Sequence, residues 1–346
     1  MWLYPAMLIQ MLILAAAAAL SFAVAWLIMR NAAQLGVVQS PNARSSHTRP
    51  TPGGGGVGIV AGSTLALGWT IVSSPWPIVV VLLCALLIAG IGFYDDRTGL
   101  PASFRLLAQF VLTGVAIVVA IPAEALAAAI GLPMPGLVAI CAAVVVAVYW
   151  INLFNFMDGI DGIAGAQAIF MTAGAALLLA TLPGTTANPQ FWMPLGIAAA
   201  TAGFLMLNWP PAKIFMGDAG STFLGFIIAL LALLTIASGA LSLAQWVILA
   251  AAFVVDATVT LARRLMLRER VFEAHRRHAY QRLSRRWGGH LPVTLTFIAI
   301  NLIWLLPLAY VAALPGWGLP AIALAYLPLT AAAIVVGAGA PETATR

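Results

Sequence analysis

Charged side chains are scarce in this 346-residue sequence: Asp, Glu, Lys and Arg make up 8% of it, whereas hydrophobic residues make up 63%. A soluble globular chain carries about 25% charged residues, so this scarcity excludes an ordinary soluble domain. Apolar runs of about 18 residues or more recur along the chain, and each is long enough to cross a hydrocarbon core as a helix. Because the runs are continuous and do not alternate, they favour helices over a membrane β-barrel.

Cysteine is also nearly absent, since the sequence contains two, Cys84 and Cys141, and both lie inside apolar runs. This excludes a disulfide framework and a cysteine-based metal site, and we expect both to be small buried hydrophobic residues. No basic residue precedes the first apolar run, at residues 7–29, which is also too long for a signal-peptide core. We therefore expect this run to be retained as a helix.

The pattern of apolar runs predicts an all-α, polytopic integral membrane protein with about 11 transmembrane helices. It forms a single domain over residues 1–346, without a soluble domain, linker or repeat. The predicted spans are residues 7–29, 54–72, 78–93, 104–120, 137–152, 163–181, 193–208, 221–238, 242–261, 291–311 and 318–337.

Basic residues are missing from every second loop. With 11 spans, all 16 Lys and Arg residues fall on one side, and the only acid in the opposite loops is Glu124. The positive-inside rule makes the basic side cytoplasmic, which places the N-terminus outside and the C-terminus inside. The aspartates outside the spans and all four histidines share that side, so we expect an active site at the cytoplasmic face.

The glycine-rich segment "SSHTRPTPGGGGVG" contains Gly53, Gly55 and Gly58 in G-x-G-x-x-G spacing. A dinucleotide site also requires a preceding strand within a βαβ unit, which this sequence lacks. Two interpretations stay open. The glycines form a flexible turn that opens the second helix, or their backbone approaches a phosphate group, with His47 and Arg49 nearby.

Adjacent carboxylates, Asp95 and Asp96, end the third predicted span, with Arg97 and Arg105 close in sequence. Neighbouring acids are commonly just solvated. A Mg²⁺ site, however, needs one or two carboxylates together with phosphate oxygens of a substrate. The contact of this pair with an apolar helix favours the functional interpretation.

The segment "NLFNFMDGIDG" places polar side chains at every third position, at Asn152, Asn155, Asp158 and Asp161. On a helix with 3.6 residues per turn each step of three rotates by about 300°, so the four cannot converge unless the helix breaks. Gly159 and Gly162 are placed to break it. The alternative is a plain polar turn in which Asp161 caps the next helix.

In "NWPPAKIFMGDAGS" two prolines end the seventh span, just before Lys213 and Asp218. Asp218 or Ser221 could simply cap the eighth span. The functional alternative makes Asp218 a metal ligand and Lys213 a phosphate ligand.

Asp256 lies inside the ninth predicted span, where an acid is expensive and is usually paired. Arg263 or Arg264, two turns further along, is the expected partner.

The basic segment "EAHRRHAYQ" carries His275 and His278 in H-x-x-H spacing. No third ligand is evident, so a zinc site is not expected. Anchoring to anionic lipid is one interpretation. Binding of a phosphate or a sugar fits the excess of Arg and His better.

Together these segments, in this order from about residue 44 to residue 281, resemble the polyprenyl-phosphate N-acetylhexosamine-1-phosphate transferases. The last segment is most similar to the branch that initiates O-antigen and polysaccharide synthesis. The resemblance implies a bacterial inner-membrane enzyme whose partners are a UDP-N-acetylhexosamine, undecaprenyl phosphate and membrane lipid. It implies no nucleic-acid partner and leaves a homodimer open. The lipid phosphate would attack the sugar-linked phosphorus, and UMP would leave.

The resemblance also implies roles for individual residues. Asp95, Asp96 and Asp218 would be catalytic, with Asp95 deprotonating the lipid phosphate, and Asp218 and Asn155 would hold Mg²⁺, or alternatively Mn²⁺. The residues expected to bind substrate are Asn152, Asn155, Asp158, Asp161, Arg105, Lys213, His275, Arg277, His278, His47 and Arg49.

Two departures from the family pattern leave the sugar and the exact lipid contacts open. Gly99 occupies the position of a third acid found in some members, and "HRRHAY" replaces a denser histidine cluster. A transporter or lipid flippase is the alternative from another class. It would place charges near the bilayer midplane, often in repeated halves, whereas these acids cluster at one face and no repeat is visible.

Overall fold

A computed structural model describes residues 3–39, 50–71, 77–131, 133–185, 189–269 and 275–341, most of which are helical. The elements are α1 (Leu3–Leu35), β1 (Val38–Gln39), β2 (Thr51–Pro52), α2 (Gly56–Ile71), α3 (Pro77–Thr98), α4 (Ala102–Ala120), α5 (Ala123–Ile130), α6 (Gly136–Phe156), α7 (Ile163–Leu179), α8 (Pro189–Asn208), α9 (Gly217–Ala237), α10 (Leu243–Met266), α11 (Ala279–Arg286), α12 (Leu291–Ile300), α13 (Leu306–Val311) and α14 (Gly318–Val336). A π-helical turn, Asn301–Leu305, joins α12 to α13.

The helices confirm an all-α, polytopic membrane protein. Among the described residues, nine helical segments are long and apolar enough to cross a membrane, with α12 to α13 counted as one. The spans predicted at residues 54–72 and 163–181 correspond to α2 and α7, which have 16 and 17 residues. About 17 residues is the lower limit for a spanning helix. The short helices α5 and α11 were not predicted.

Helix α9 is the centre of the fold. In its most apolar stretch 78% of the residues are buried, compared with 17% in α1 and in α14. This helix is hydrophobic on all sides and is enclosed by other helices, chiefly by α3 and α6, with α2 and α5 also in contact. The N-terminus of α9, which carries Asp218, is therefore held inside the bundle.

The glycine-rich segment packs onto the turn that precedes α9. Strands β1 and β2 pair Val38 with Pro52, and the amide of Phe215 donates to the carbonyl oxygen of Pro52 at 2.8 Å. The amides of Gly55 and Gly56 donate to the carbonyl oxygens of Phe215 and Met216, both at 2.9 Å. These two amides are thus satisfied by the protein, which favours the turn interpretation. His47 and Arg49 lie outside the described residues.

The expectation for the cysteines is half right. Cys84 is buried, but Cys141 is exposed on α6. Neighbouring side chains on α6 are exposed as well, including Leu137 at 73% and Val145 at 57%. This outward face of α6 is apolar, as a lipid-facing surface requires, so burial in protein is not needed to explain a cysteine there.

Candidate active site

The polar segment interrupts the helix and forms a turn between two helices, as predicted. Helix α6 ends at Phe156, and the chain passes through Gly162, with φ of +75°, before α7 begins at Ile163. The alternative role of Asp161 as a helix cap is wrong, because Gly162 occupies the N-cap position. The Asp161 carboxylate instead accepts the amide of Ala212 at 3.0 Å and lies 3.1 Å from Nδ1 of His290. Asp161 therefore fixes the turn to its neighbours.

Helix α9 is capped by a residue of another helix. The carboxylate of Asp96, on α3, accepts the amides of Asp218 at 3.0 Å and Ala219 at 3.4 Å. Gly217, with φ of +74°, allows this contact, since a Cβ atom there would lie 2.5 Å from Asp96 Oδ2. The alternative that Asp218 or Ser221 caps this helix is wrong, since no side chain of α9 caps it. The Asp218 side chain is consequently available for other contacts.

Arg105 joins the two carboxylates at the centre of the site. Its Nη1 atom lies 2.6 Å from Asp95 Oδ2 and 3.2 Å from Asp218 Oδ2. The other oxygen of Asp95 accepts the amide of Leu100 at 2.5 Å. Two acids that are distant in sequence thus converge on the position of a single cationic atom.

Both asparagines of α6 are held by neighbouring helices. Asn152 Nδ2 donates to Gln109 Oε1 on α4 at 2.6 Å. Asn155 Oδ1 accepts the hydroxyl of Ser221 on α9 at 2.8 Å. These contacts orient the two amides toward the region between α3, α4, α6 and α9.

Two openings meet at this centre. The first has walls from α3, α4, α6 and α9, and we name it the membrane-side groove because these four helices are long and apolar enough to cross a membrane. It has a volume of about 20 Å³ and is lined by Ile88, Ile91, Gly92, Asp95, Arg105, Ala108, Gln109, Asn152, Asn155, Asp218 and Thr222. The second, which we name the polar cavity, has a volume of about 260 Å³ and is lined by Gln39, Asp96, Asn155, Asp158, Gly159, Ile160, Asp161, Asn208, Phe215, Met216, Gly217, Asp218, Gln281 and His290. Asn155 and Asp218 belong to both walls.

Asp158 lines the polar cavity and is an acid with an unusually high pKa. Burial, reinforced by the carboxylates of Asp96 and Asp161, raises the pKa of Asp158 to about 7. Its side chain makes no hydrogen bond to the part of the chain that the structure describes. A carboxyl group that is partly protonated near neutral pH can donate or accept a hydrogen bond.

Four predicted substrate-binding residues line neither opening. Lys213 is exposed on the turn before α9. Arg277 donates to Glu269, which also accepts a hydrogen bond from Arg264. His275 stacks on His278, with 4.9 Å between ring centroids, and His278 is buried beside Asp256. The roles of these residues in binding the sugar or the phosphate stay predictions.

The predicted partners of Asp256 are wrong. Arg264 donates to Glu269, and Arg263 donates to the carbonyl oxygen of Ala338. The Asp256 carboxylate instead accepts the amides of Ala279 at 2.8 Å and Tyr280 at 2.9 Å. The arginines were expected as partners because they lie about two turns from Asp256 in the sequence. The fold instead packs α11 against α10, which brings the α11 amides to Asp256.

Several lining residues were missed by sequence reasoning. Gln109, an amide inside an apolar run, carried a usable signal because polar side chains within spans are rare. Asn208 stands at the start of a segment that was singled out for its neighbours. Phe215 and Gln281 also lie in segments that were singled out for other residues, whereas Gln39 carries no such signal, because only the fold brings it to the polar cavity. His290 had been assigned only to the cytoplasmic face.

The site's residues are consistent with a Mg²⁺ ion, although no group of three or more His, Cys, Asp or Glu that could hold a metal occurs among the described residues. Mg²⁺ is typically bound by one or two carboxylates, with water and substrate phosphate completing its shell. The position of Arg105 Nη1 shows that Asp95 and Asp218 converge on one cation-sized location. Asn155 adds an amide oxygen on the same wall.

Residues 78–236 match the model of the glycosyl transferase family 4. That segment runs from α3 to α9 and includes the central acids and both asparagines.

Three relatives extend this similarity over most of the chain. A probable undecaprenyl-phosphate N-acetylglucosaminyl 1-phosphate transferase of Bacillus subtilis (strain 168) is 28% identical over 80% of this chain and 78% of its own. A decaprenyl-phosphate N-acetylglucosaminephosphotransferase of Mycobacterium tuberculosis (strain CDC 1551 / Oshkosh) is 27% identical over 76% and 73%. An undecaprenyl-phosphate alpha-N-acetylglucosaminyl 1-phosphate transferase of Salmonella typhi is 29% identical over 75% and 72%.

Proposed function

Because the chain belongs to the polyprenyl-phosphate N-acetylhexosamine-1-phosphate transferase superfamily, we propose that it transfers N-acetylhexosamine-1-phosphate from a UDP-sugar to undecaprenyl phosphate. An oxygen of the lipid phosphate attacks the phosphorus attached to the sugar, and the bond to UMP breaks. The products are an undecaprenyl-diphospho sugar and UMP. The reaction takes place at the cytoplasmic face of the bacterial inner membrane and initiates a cell-envelope polysaccharide such as O-antigen.

The observation that carries this proposal is the shared wall between the two openings. The membrane-side groove combines apolar side chains, Ile88 and Ile91, with charged ones, which suits the phosphate end of a lipid. The polar cavity suits a nucleotide sugar. A phosphate from one side and a diphosphate from the other would meet at Asn155 and Asp218, which is the arrangement an in-line transfer requires.

Arg105 and Asp95 act on the lipid phosphate in this proposal. The side chain of Arg105 is 36% exposed and borders the membrane-side groove, where its guanidinium can bind phosphate oxygens. The Asp95 carboxylate, fixed by the amide of Leu100, accepts the proton of a monoprotonated lipid phosphate.

Asp96 and Asp158 act in the polar cavity. Asp96 holds the N-terminus of α9, so that Asp218 keeps its place between the two openings. Asp158 would contact the nucleotide end of the donor.

When bound, Mg²⁺ neutralises the diphosphate charge that develops during phosphoryl transfer. Asp218 and Asn155 would hold it, since both side chains border both openings. Phosphoryl transfer needs positioned charges more than covalent chemistry by the protein. The charged and amide side chains of this site agree with that requirement.

The test is transfer of radiolabel from a panel of UDP-N-acetylhexosamines to undecaprenyl phosphate by the purified protein in detergent, with Mg²⁺ or with EDTA. We expect a lipid-linked product only with Mg²⁺. Asp218→Asn is expected to abolish the product while the protein elutes as a folded species.

Glu124→Gln is the matched control, because it also neutralises one acid but lies in α5, away from both openings. Absence of labelled lipid with every donor would refute the proposed function. Full activity of Asp218→Asn would remove Asp218 from the metal site and leave the transferase proposal standing.

A further inference from the structure

Asp256 is a buried acid in α10 that lines neither the membrane-side groove nor the polar cavity, and its residue exposure is 3%. An acid at such a position is costly unless each oxygen is satisfied. Here Oδ1 accepts the amide of Ala279 at 2.8 Å, and Oδ2 accepts the amide of Tyr280 at 2.9 Å. His278 Nδ1 lies 3.2 Å from Oδ1. The carboxylate therefore holds the first turn of α11.

Tyr280 carries this attachment to the active site. Its side chain is fully buried, and its hydroxyl donates to the carbonyl oxygen of Phe156 at 3.0 Å. Phe156 is the last residue of α6, immediately before the turn that holds Asp158. A Cβ atom at Gly159 would lie 2.0 Å from the Tyr280 hydroxyl oxygen, so only glycine permits this approach.

Gln281 completes the connection on the cavity side. Its Oε1 atom accepts the amide of His278 at 3.3 Å, which closes a capping box at the start of α11. The same side chain lines the polar cavity together with Asp158 and Gly159. A displacement of the first turn of α11 would therefore move one wall of that cavity.

We infer that Asp256 is a positioning residue: through Tyr280 it fixes α11 against the Phe156–Gly159 turn and thereby shapes the polar cavity for the nucleotide-sugar donor. The contacts form one continuous chain from the α10 carboxylate through the α11 backbone to the α6 carbonyl. The membrane-side groove shares none of these contacts. The assignment of the donor to this cavity rests on the proposed function.

Asp256→Asn is the informative substitution because it keeps the shape of the side chain. Its amide retains one acceptor and presents an NH₂ group to a backbone donor, so one of the two amides of α11 loses its acceptor. If the free energy lost with one buried hydrogen bond is expressed entirely at the polar cavity, the affinity for the donor falls by about fivefold to tenfold. We expect that increase in KM for the UDP-N-acetylhexosamine, with KM for undecaprenyl phosphate changed by less than about twofold.

Tyr280→Phe removes only the hydroxyl that reaches Phe156, and we expect the same selective rise in donor KM. Because the two residues act in one chain of contacts, the double variant should be little worse than either single variant. Tyr326→Phe is the matched control. It also removes a tyrosine hydroxyl that donates to a backbone carbonyl, that of Val247 at 2.9 Å, but the pair lies between α14 and α10.

Hydrogen exchange gives a readout that needs no activity. In the full-length protein in detergent, the amides of residues 279–286 should exchange faster in Asp256→Asn than in the wild type. The control Tyr326→Phe should leave their exchange unchanged.

The outcomes separate the two proposals. If the wild type transfers no sugar phosphate from any donor, the proposed function fails, and hydrogen exchange still tests the attachment. If the wild type is active, three results would each overturn the inference. These are unchanged donor KM in Asp256→Asn, an equal rise in both KM values, or the same rise in Tyr326→Phe.

Discussion

Arg105 contacts Asp95 and Asp218, and Asp218 is one of the two residues proposed to hold Mg²⁺. Its Nη1 atom lies 2.6 Å from one carboxylate oxygen and 3.2 Å from the other, so these oxygens are at most about 6 Å apart. Two like charges about 6 Å apart repel by about 3 kcal/mol at an effective dielectric constant of about 20. Arg105 is 36% exposed, and solvent screening reduces this to about 1.5 kcal/mol.

Replacement of Arg105 by Met should therefore leave the two carboxylates with a stronger preference for a cation. Since about 1.4 kcal/mol corresponds to a tenfold change in affinity, the half-saturating Mg²⁺ concentration should fall by about tenfold. The KM for undecaprenyl phosphate should rise at the same time, because the phosphate loses a guanidinium partner. Both quantities come from initial rates of lipid labelling over a Mg²⁺ series.

Arg97→Met is the matched control, because Arg97 is an exposed arginine near the same end of α3 but lines neither opening. An unchanged Mg²⁺ dependence in Arg105→Met would refute the idea that the guanidinium and the metal compete for the Asp218 carboxylate. A parallel change in Arg97→Met would attribute the effect to overall surface charge.

Three further predictions concern other polar groups. Gln109→Leu should raise the KM for undecaprenyl phosphate by about fivefold, because Asn152 loses the partner that orients it in the membrane-side groove. An equal rise in the KM for the UDP-sugar donor would contradict this prediction. Asn301→Leu breaks a buried hydrogen bond of 2.7 Å to Gln167 and should lower the free energy of unfolding by about 0.6 kcal/mol. We expect a lower Tm with unchanged kinetics, and altered KM values would contradict this prediction. Burial, reinforced by nearby cationic side chains, lowers the pKa of His275 to about 3. His275 should stay neutral in the native state while the unfolded state takes up a proton below about pH 6.5, so it disfavours the native state as pH falls. An NMR titration midpoint near 6.5 would contradict that prediction.

Composition and periodicity were sufficient for the fold class because the membrane imposes a simple rule. A helix must satisfy its own backbone and present apolar side chains over about 20 residues, and both properties are visible in the sequence. The short helices α5 and α11 were not predicted because they are too short to span a membrane. Helix α11 is defined by its contacts with Asp256 on α10, 23 and 24 residues away from its first two residues, and no local pattern encodes such contacts.

The candidate site was predictable to a similar extent. Asp95, Asp218, Asn152 and Asn155 were identified as polar groups at the ends of apolar runs, and the fold brings all four to one groove. The capping role of Asp96 was not predictable, because sequence-based rules look for a helix cap in the residues just before the helix. Asp96 is 122 residues from the amide of Asp218 that it binds.

The three-residue spacing of Asn152, Asn155, Asp158 and Asp161 is explained by the end of α6. Asn152 lies on the helix and borders only the membrane-side groove, and Asn155, nearly one turn later, borders both openings. Asp158 follows the end of the helix and borders only the polar cavity, while Asp161 binds the turn before α9. A continuous helix would send these side chains in different directions, whereas a helix that ends at Phe156 distributes them in order from the membrane-side groove to the polar cavity. The segment therefore connects the two proposed substrate sites, and the carbonyl oxygen at its break is the atom that Tyr280 holds.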